Sequence, residues 1–249
     1  MKIALIELDI IESEPHQNWN NVEKIISEDF DNFANLDFIV LPELFTTGYE
    51  IEKWKSLIPS NLEVLEKAKH LSKNLSSGFI FSMVFQENEE YFNRQFFISS
   101  DGKIRETYDK SHLFRPMQEH KILTAGENLT HFSLNKFEVG FAICYDLRFP
   151  EMFLKMSKMG VNLFVVVAEW PHPRCETFMT LAKARAIENY AFLVVANRKG
   201  KDHNNIEFCG SSSIIDPFGN VKKIEKNSQF LIDEISLSQV KKAQKFIFS

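Results

Sequence analysis

NLFVVVAEW, residues 162–170, is the stretch on which the fold turns. Leu163 to Ala168 are apolar without alternation, so a strand here has to bury both faces, as in a sheet covered on each side. Downstream, Met179, Ala182, Ala186, Ile187 and Tyr190 stripe a helix, and FLVVAN (192–197) is a second unbroken apolar run. Upstream, residues 137–144 form another apolar strand, and Pro150 opens a helix over 150–159. Strand and helix alternate, which predicts an α/β fold.

The same alternation continues toward the N-terminus. Residues 2–9 read as a strand, and Trp19, Val22, Ile26, Phe30 and Phe33 share one helical stripe. DFIVLPE (37–43) is a short strand stopped by Pro42, and Val64, Ala68, Leu71 and Leu75 mark a second helix. FIFSMVF (79–85) and EYFNRQFFIS (90–99) predict paired strands followed by a turn at Asp101-Gly102. A last pair brackets the turn Asp216-Pro217-Phe218-Gly219. Hairpins among strand–helix units imply a mixed sheet. Periodicity does not give the number of layers.

The chain has 249 residues, 44% hydrophobic and 25% charged, sufficient for a sizeable core. Its net charge of -5 supplies no basic field for nucleic acid or anionic lipid. No apolar stretch approaches the roughly 20 residues that cross a bilayer. MKIALIELDI carries Glu7 and Asp9 inside its apolar run, so it reads as a first strand and not a signal peptide. Three cysteines without C-x-x-C spacing argue against a disulfide framework or a zinc site. The expectation is a soluble protein of a reducing compartment, the cytoplasm.

GFAICYDLRFPE (140–151) raises the chemical question, because Cys144 sits where an apolar strand gives way to a charged turn. A nucleophile at a strand's carboxyl end, on a turn into a helix, projects into the crevice where α/β folds bind ligands. A free thiol is only about 3% thiolate at pH 7, so it needs a base or a nearby cation. LPELFTTGY (41–49) places Glu43 after a strand, where burial turns a carboxylate into a usable base. YDKSHLF (108–114) places Lys110 after a strand-like run, where its ammonium can favour thiolate and hold an oxyanion. Taken singly, each is an ordinary packing or surface residue; together, with these flanks, they make a set.

The rivals are weaker. Cys175 lies near a helix start but lacks a base beyond His172 and Glu176, and reads as a packing or surface thiol. Cys209 reads as small core filler. His112 and His172 are the best placed for a Cys–His pair, but His112 is better read as positioning the Lys110 loop. Scattered His and acids show no metal-ligand spacing.

LPELFTTGY, YDKSHLF and GFAICYDLRFPE resemble the Glu, Lys and Cys motifs of the nitrilase superfamily of carbon–nitrogen hydrolases. The order matches, with 67 residues from Glu43 to Lys110 and 34 from there to Cys144. AEWPHPR (168–174), KARAIENYAF (183–192) and CGSSSIIDPFGN (209–220) extend the likeness over almost the whole chain. The resemblance implies one domain over 1–249, a four-layer αββα sandwich and a homodimer or higher homo-oligomer, with no cofactor and no metal. It implies Glu43 as general base, Lys110 and the Tyr145 backbone N–H as oxyanion donors, Cys144 as nucleophile, and Glu119, in RPMQEHK, as a second active-site glutamate. Within the superfamily the chain is most similar to the ω-amidases, which hydrolyse the side-chain amides of 2-oxoglutaramate and 2-oxosuccinamate. Such a substrate calls for a cation, first Arg174 and second Arg148, the latter competing with a bracing role toward Asp146 or Glu151. Trp170 and Tyr49 are the candidate walls. The alternatives are deaminated glutathione, an N-carbamoyl compound or a nitrile as substrate, or a noncatalytic scaffold.

Overall fold

The computed structural model describes residues 1–247. The first half contributes β1 (Lys2–Ile6), β2 (Phe38–Val40), β3 (Gly78–Glu87), β4 (Glu90–Ile98) and β5 (Ile104–Asp109). The second contributes β6 (His131–Leu134), β7 (Phe137–Ile143), β8 (Leu163–Ala168), β9 (Phe192–Asn197), the hairpin β10 (Lys199–Lys201) and β11 (Glu207–Cys209), then β12 (Ser213–Ile215) and β13 (Val221–Lys223). A last strand, β14 (Phe230–Glu234), returns to pair antiparallel with β1.

Two six-stranded sheets result, ordered β14-β1-β2-β3-β4-β5 and β13-β12-β9-β8-β7-β6. Each is parallel at its centre, β1-β2-β3 in one and β7-β8-β9 in the other, with antiparallel strands outside. The parallel crossovers require helices. α1 (Pro15–Glu28), α2 (Phe30–Phe33) and α3 (Ile58–Leu75) serve the first sheet; α4 (Pro150–Lys158) and α5 (Cys175–Glu188) serve the second. α6 (Leu237–Ile247) follows β14.

Alternation within strands decides the layering. Ile3 and Leu5 of β1, Phe38 and Val40 of β2 and Ile80 of β3 join one buried cluster with Phe141, Val165 and Val194 of the other sheet. Their neighbours Ala4, Ile6, Ile39, Phe79 and Phe81 face the other way, onto Trp19 and Val22 of α1 and Val64 and Ala68 of α3. The second sheet's outer face takes Met152, Phe153 and Met156 of α4 and Phe178, Ala182 and Ala186 of α5. The molecule is therefore the expected αββα sandwich, because both faces of both sheets need apolar cover.

Three details depart from the sequence reading. The stripe expected to run unbroken from Trp19 to Phe33 is cut at Asp29 into α1 and α2. The first strand stops at Ile6, not residue 9. β14 and α6 gave no strong periodic signal. Among the described residues no helix is long and apolar enough to cross a membrane.

Candidate active site

Cys144 follows the last residue of β7 directly and has φ 45°. A non-glycine residue in the left-handed region is strained, and such strain persists where the surroundings impose it. Asp146 supplies the restraint. Its Oδ2 accepts from the Ile143 backbone N–H at 2.9 Å and from the Tyr108 hydroxyl at 2.8 Å. Its Oδ1 lies 2.7 Å from His112 Nδ1 and accepts from the His112 backbone N–H at 3.1 Å. Tyr108 and His112 flank Lys110, so one buried carboxylate ties the Cys144 turn to the lysine's loop. His112 also stacks on Phe149 at 3.6 Å between ring centroids.

Lys110 follows β5, and its side chain is fully buried. Its Nζ donates to Glu43 Oε1 at 2.8 Å and to Glu119 Oε1 at 2.6 Å. Glu43 lies three residues beyond β2 and is likewise buried. Its Oε1 also accepts from Asn93 Nδ2 at 2.8 Å, and its Oε2 from the Glu169 backbone N–H at 2.9 Å. Glu119 accepts at Oε2 from the Phe114 backbone N–H at 2.6 Å. The Tyr49 hydroxyl lies 2.6 Å from Glu119 Oε1 and 2.9 Å from Glu43 Oε1, joining the two acids. Sequence-predicted Glu43, Lys110, Glu119 and Cys144 thus meet in one buried cluster, and Tyr49 is a hydrogen-bonding member of it as well as a wall.

Burial opposes the Lys110 charge, but Glu119 and Glu43 more than offset it and raise the ammonium above the ordinary lysine value. The thiol behaves otherwise than expected. Burial and then the Glu43 carboxylate push Cys144 well above the usual thiol range, and the opposing pull of Lys110 is smaller. Burial thus favours a protonated Cys144 thiol over a thiolate held by the Lys110 ammonium. Burial and the two glutamates also push the Tyr49 phenol up.

The cluster underlies a pocket of about 260 Å³, whose floor it reaches through Cys144 and Tyr49, while Glu43, Lys110 and Glu119 lie buried behind them. Cys144, Tyr49, Tyr145, Trp170, Arg148 and Arg174 all line it, with Phe114, Ile206 and Phe208 completing apolar walls. Arg174 lies over the Phe114 ring at 5.9 Å and Arg148 over Trp170 at 5.2 Å. Neither guanidinium forms an ion pair among the described residues. The bracing role weighed for Arg148 is corrected: Asp146 is taken by Tyr108 and His112, and Arg148 turns to the aromatic ring instead. Cys175 and Cys209, expected to be unpaired, form a disulfide with Cα atoms 5.9 Å apart. The β10–β11 hairpin folds back over the start of α5, a proximity that a 34-residue separation does not reveal.

Residues that sequence reading missed share one signal, a polar residue within or directly after an apolar strand. Asn93 in EYFNRQFFIS accepts the Lys110 backbone N–H at its carbonyl while its side chain holds Glu43. Beside it, Arg94 clamps Asp109 bidentately at 2.6 and 2.8 Å. Glu169 in NLFVVVAEW is a buried acid on the pocket wall, paired with buried Arg198 at 2.8 Å. Farther off, ligand atoms of Glu12, Asp202 and His203 lie within 4.8 Å of one another. Glu12 is already engaged by the backbone and ring of His203 and lies 3.8 Å from Arg198, which makes the cluster an ion-pair network.

A base, a cation and a thiol around one pocket are the groups that acyl transfer from an amide requires. Known proteins agree with this chemistry. The carbon–nitrogen hydrolase family profile matches residues 2–245. The chain is 36% identical over 224 residues to the 2-oxoglutaramate amidase of Bacillus subtilis, covering 88% of this chain and 84% of that protein. It is 30% identical to the omega-amidase YafV of Yersinia enterocolitica, over 89% and 84% of the two chains. Among solved structures, XC1258 of Xanthomonas campestris, a CN-hydrolase superfamily protein with an arsenic adduct in its active site, superposes with a TM-score of 0.87. That pair is 25% identical and covers 99% of this chain and 94% of the other. Motifs, fold and site converge: the chain belongs to the carbon–nitrogen hydrolase family, within the nitrilase superfamily, and is a hydrolase of amide carbon–nitrogen bonds.

Proposed function

We propose that the protein is an ω-amidase, cleaving the side-chain amide of 2-oxoglutaramate or 2-oxosuccinamate to the 2-oxo dicarboxylate and ammonia. The carrying observation is the contrast within one pocket: a buried acid–lysine–acid cluster beside Cys144 at the floor, and two unpaired arginines, Arg148 and Arg174, in its walls. A short acyl chain ending in a carboxylate spans such a pocket, with its amide at the thiol and its carboxylate at a guanidinium.

The chemistry follows from the protonated thiol. Glu43 takes the Sγ proton as sulfur attacks the amide carbon, so no standing thiolate is needed. The carbonyl oxygen gains the electron pair and is met by Lys110 Nζ and the Tyr145 backbone N–H. Protonated Glu43 returns its proton to nitrogen as the C–N bond breaks, releasing ammonia and leaving a thioester. The same carboxylate then deprotonates water, which attacks the thioester carbon, and the thiol leaves with the proton. Glu119 and Tyr49 keep Lys110 and Glu43 in place through both halves. Two copies are proposed to associate through the apolar side chains left exposed on α4 and α5, Leu154 and Ile187; light scattering at micromolar concentration tests this.

The deciding experiment compares ammonia release from 2-oxoglutaramate and 2-oxosuccinamate with turnover of deaminated glutathione, N-carbamoyl amino acids and nitriles. The 2-oxo amides should give the highest kcat/KM. Turnover of one competitor with none of either 2-oxo amide overturns the substrate assignment.

A further inference from the structure

Glu169 is a buried acid at the active site that the mechanism above does not use through its side chain. It follows β8 directly, beside the strand that delivers Cys144, and its backbone N–H is already fixed on Glu43 Oε2. Its side chain is buried yet stands in the pocket wall. Oε2 accepts from Arg198 Nη1 at 2.8 Å, whereas Oε1 has no partner among the described residues. A buried polar atom left unpaired is costly, and native proteins retain few without a reason.

Arg198 cannot itself swing toward a ligand. Its Nη2 donates to the Ile10 carbonyl at 2.8 Å and the Lys201 carbonyl at 3.1 Å, and its guanidinium lies 4.4 Å over the Phe208 ring. Gly48, at φ +56°, leaves it room, since a Cβ there would come within 3.2 Å of Nη1. The arginine is a fixed clamp on one oxygen of Glu169, and the other oxygen, on a residue of the pocket lining, is buried without a partner among the described residues.

Charge decides what that oxygen offers. Glu43, Glu119 and Glu169 are three buried carboxyls against two buried cations, Lys110 and Arg198, and Glu12 lies 3.8 Å from the second. One acid of the three has a reason to keep a proton. The groups facing Glu169 are Arg198, Glu43, Glu12, Tyr49 and Cys144. Burial, with Glu43 and Glu12 behind it, pushes Glu169 up to about 8 in spite of Arg198. Because Arg198 donates to Oε2, the proton belongs on Oε1.

We propose that Glu169 is a substrate-binding residue that meets the acyl chain as a neutral carboxyl, its Oε1 donating a hydrogen bond to an acceptor oxygen of the substrate. The assignment rests on the ω-amidase reading, whose substrates carry only acceptor oxygens, oxo and carboxylate, beyond the scissile amide.

The test measures kcat/KM for 2-oxoglutaramate and for butyramide, which has no acceptor oxygen along its chain, from pH 6 to 9.5 in wild type, Glu169→Gln and Glu169→Leu. Gln turns its carbonyl to Arg198 and presents N–H donors to the pocket, so it keeps part of the contact. Expected losses on 2-oxoglutaramate at pH 7 are about threefold for Gln and about thirtyfold, mostly in KM, for Leu, with a smaller loss on butyramide. Wild type should fall with a midpoint near pH 8, a limb that Gln lacks. Equal losses on both amides in the Leu variant, or the same alkaline limb in the Gln variant, overturn the contact. If Leu does not fold by circular dichroism, the Gln profile decides alone. If wild type ignores 2-oxoglutaramate, the substrate reading fails separately. Glu169 is then judged by alkylation of Cys144 with iodoacetamide: wild type should inflect near pH 8 and Gln should not, and identical profiles overturn the proposal.

Discussion

The floor and the mouth of the pocket are built on opposite principles. At the floor, Glu43, Lys110 and Glu119 are fully buried, and each is held by two or more hydrogen bonds. At the mouth, Arg148 and Arg174 are exposed and rest on the faces of Trp170 and Phe114. Ions can be buried at the floor only because they satisfy one another, so removing one strands the rest. An arginine on an aromatic face keeps its solvation and its donors, so removing it leaves the fold alone and weakens only what it binds. On the proposed function, the floor carries reaction type and the mouth carries choice of substrate.

The largest effect that would sharpen this contrast is at the nucleophile. Cys144→Ala should lower ammonia release by about 10³-fold or more, because the proposed mechanism forms its acyl intermediate on this sulfur. Residual turnover near wild type would remove Cys144 from the reaction. Glu43→Gln is next, with kcat down by about 10²–10⁴-fold and the circular dichroism spectrum retained. Glu43→Gln should also retain alkylation of Cys144 at high pH, since the thiol survives when its base does not.

Lys110→Met probes both costs at once. Loss of an oxyanion donor predicts about 10²–10³-fold in kcat, and stranding Glu43 and Glu119 together predicts about 3–5 kcal/mol of stability. Thermal unfolding measures the second; unchanged stability would break the claim that the floor is mutually satisfied. At the mouth, Arg174→Met should raise KM for 2-oxoglutaramate by about tenfold and for a neutral amide hardly at all, with Tm unchanged. Equal KM changes would show that no carboxylate sits there.

Stability should also depend on pH. Glu169 keeps its proton up to about 8 in the folded state, while its ordinary value is 4.5. Between those values the folded chain holds a proton that the unfolded chain has released. Stability contributed by this group therefore falls as pH rises from 4.5 toward 8, by at most about 1.4 kcal/mol per unit. Tm should decline from pH 6 to 8, and the decline should shrink in Glu169→Gln; identical slopes would contradict the sign.

Much of this was legible beforehand. LPELFTTGY, YDKSHLF and GFAICYDLRFPE marked Glu43, Lys110 and Cys144 because strand ends have local signatures, an apolar run meeting Pro42, Asp109 or Asp146. Asn93 within β4 and Glu169 directly after β8 carry no such local signature, since a polar residue in or beside an apolar strand is informative only once its partners are known. The Cys175–Cys209 pair and the diversion of Arg148 to Trp170 were invisible for the same reason.

Residue types and their order were settled along the chain: an α/β pattern, a thiol, a lysine and acids at strand ends, each a property of a few neighbours. Tertiary structure alone decided how those groups act. Packing two sheets face to face took the Cys144 sulfur, Lys110 and Glu43 out of water together, and desolvation outweighed the ammonium's pull on the thiol. Burial is set by long-range contacts, and in a low dielectric it governs which group holds the proton.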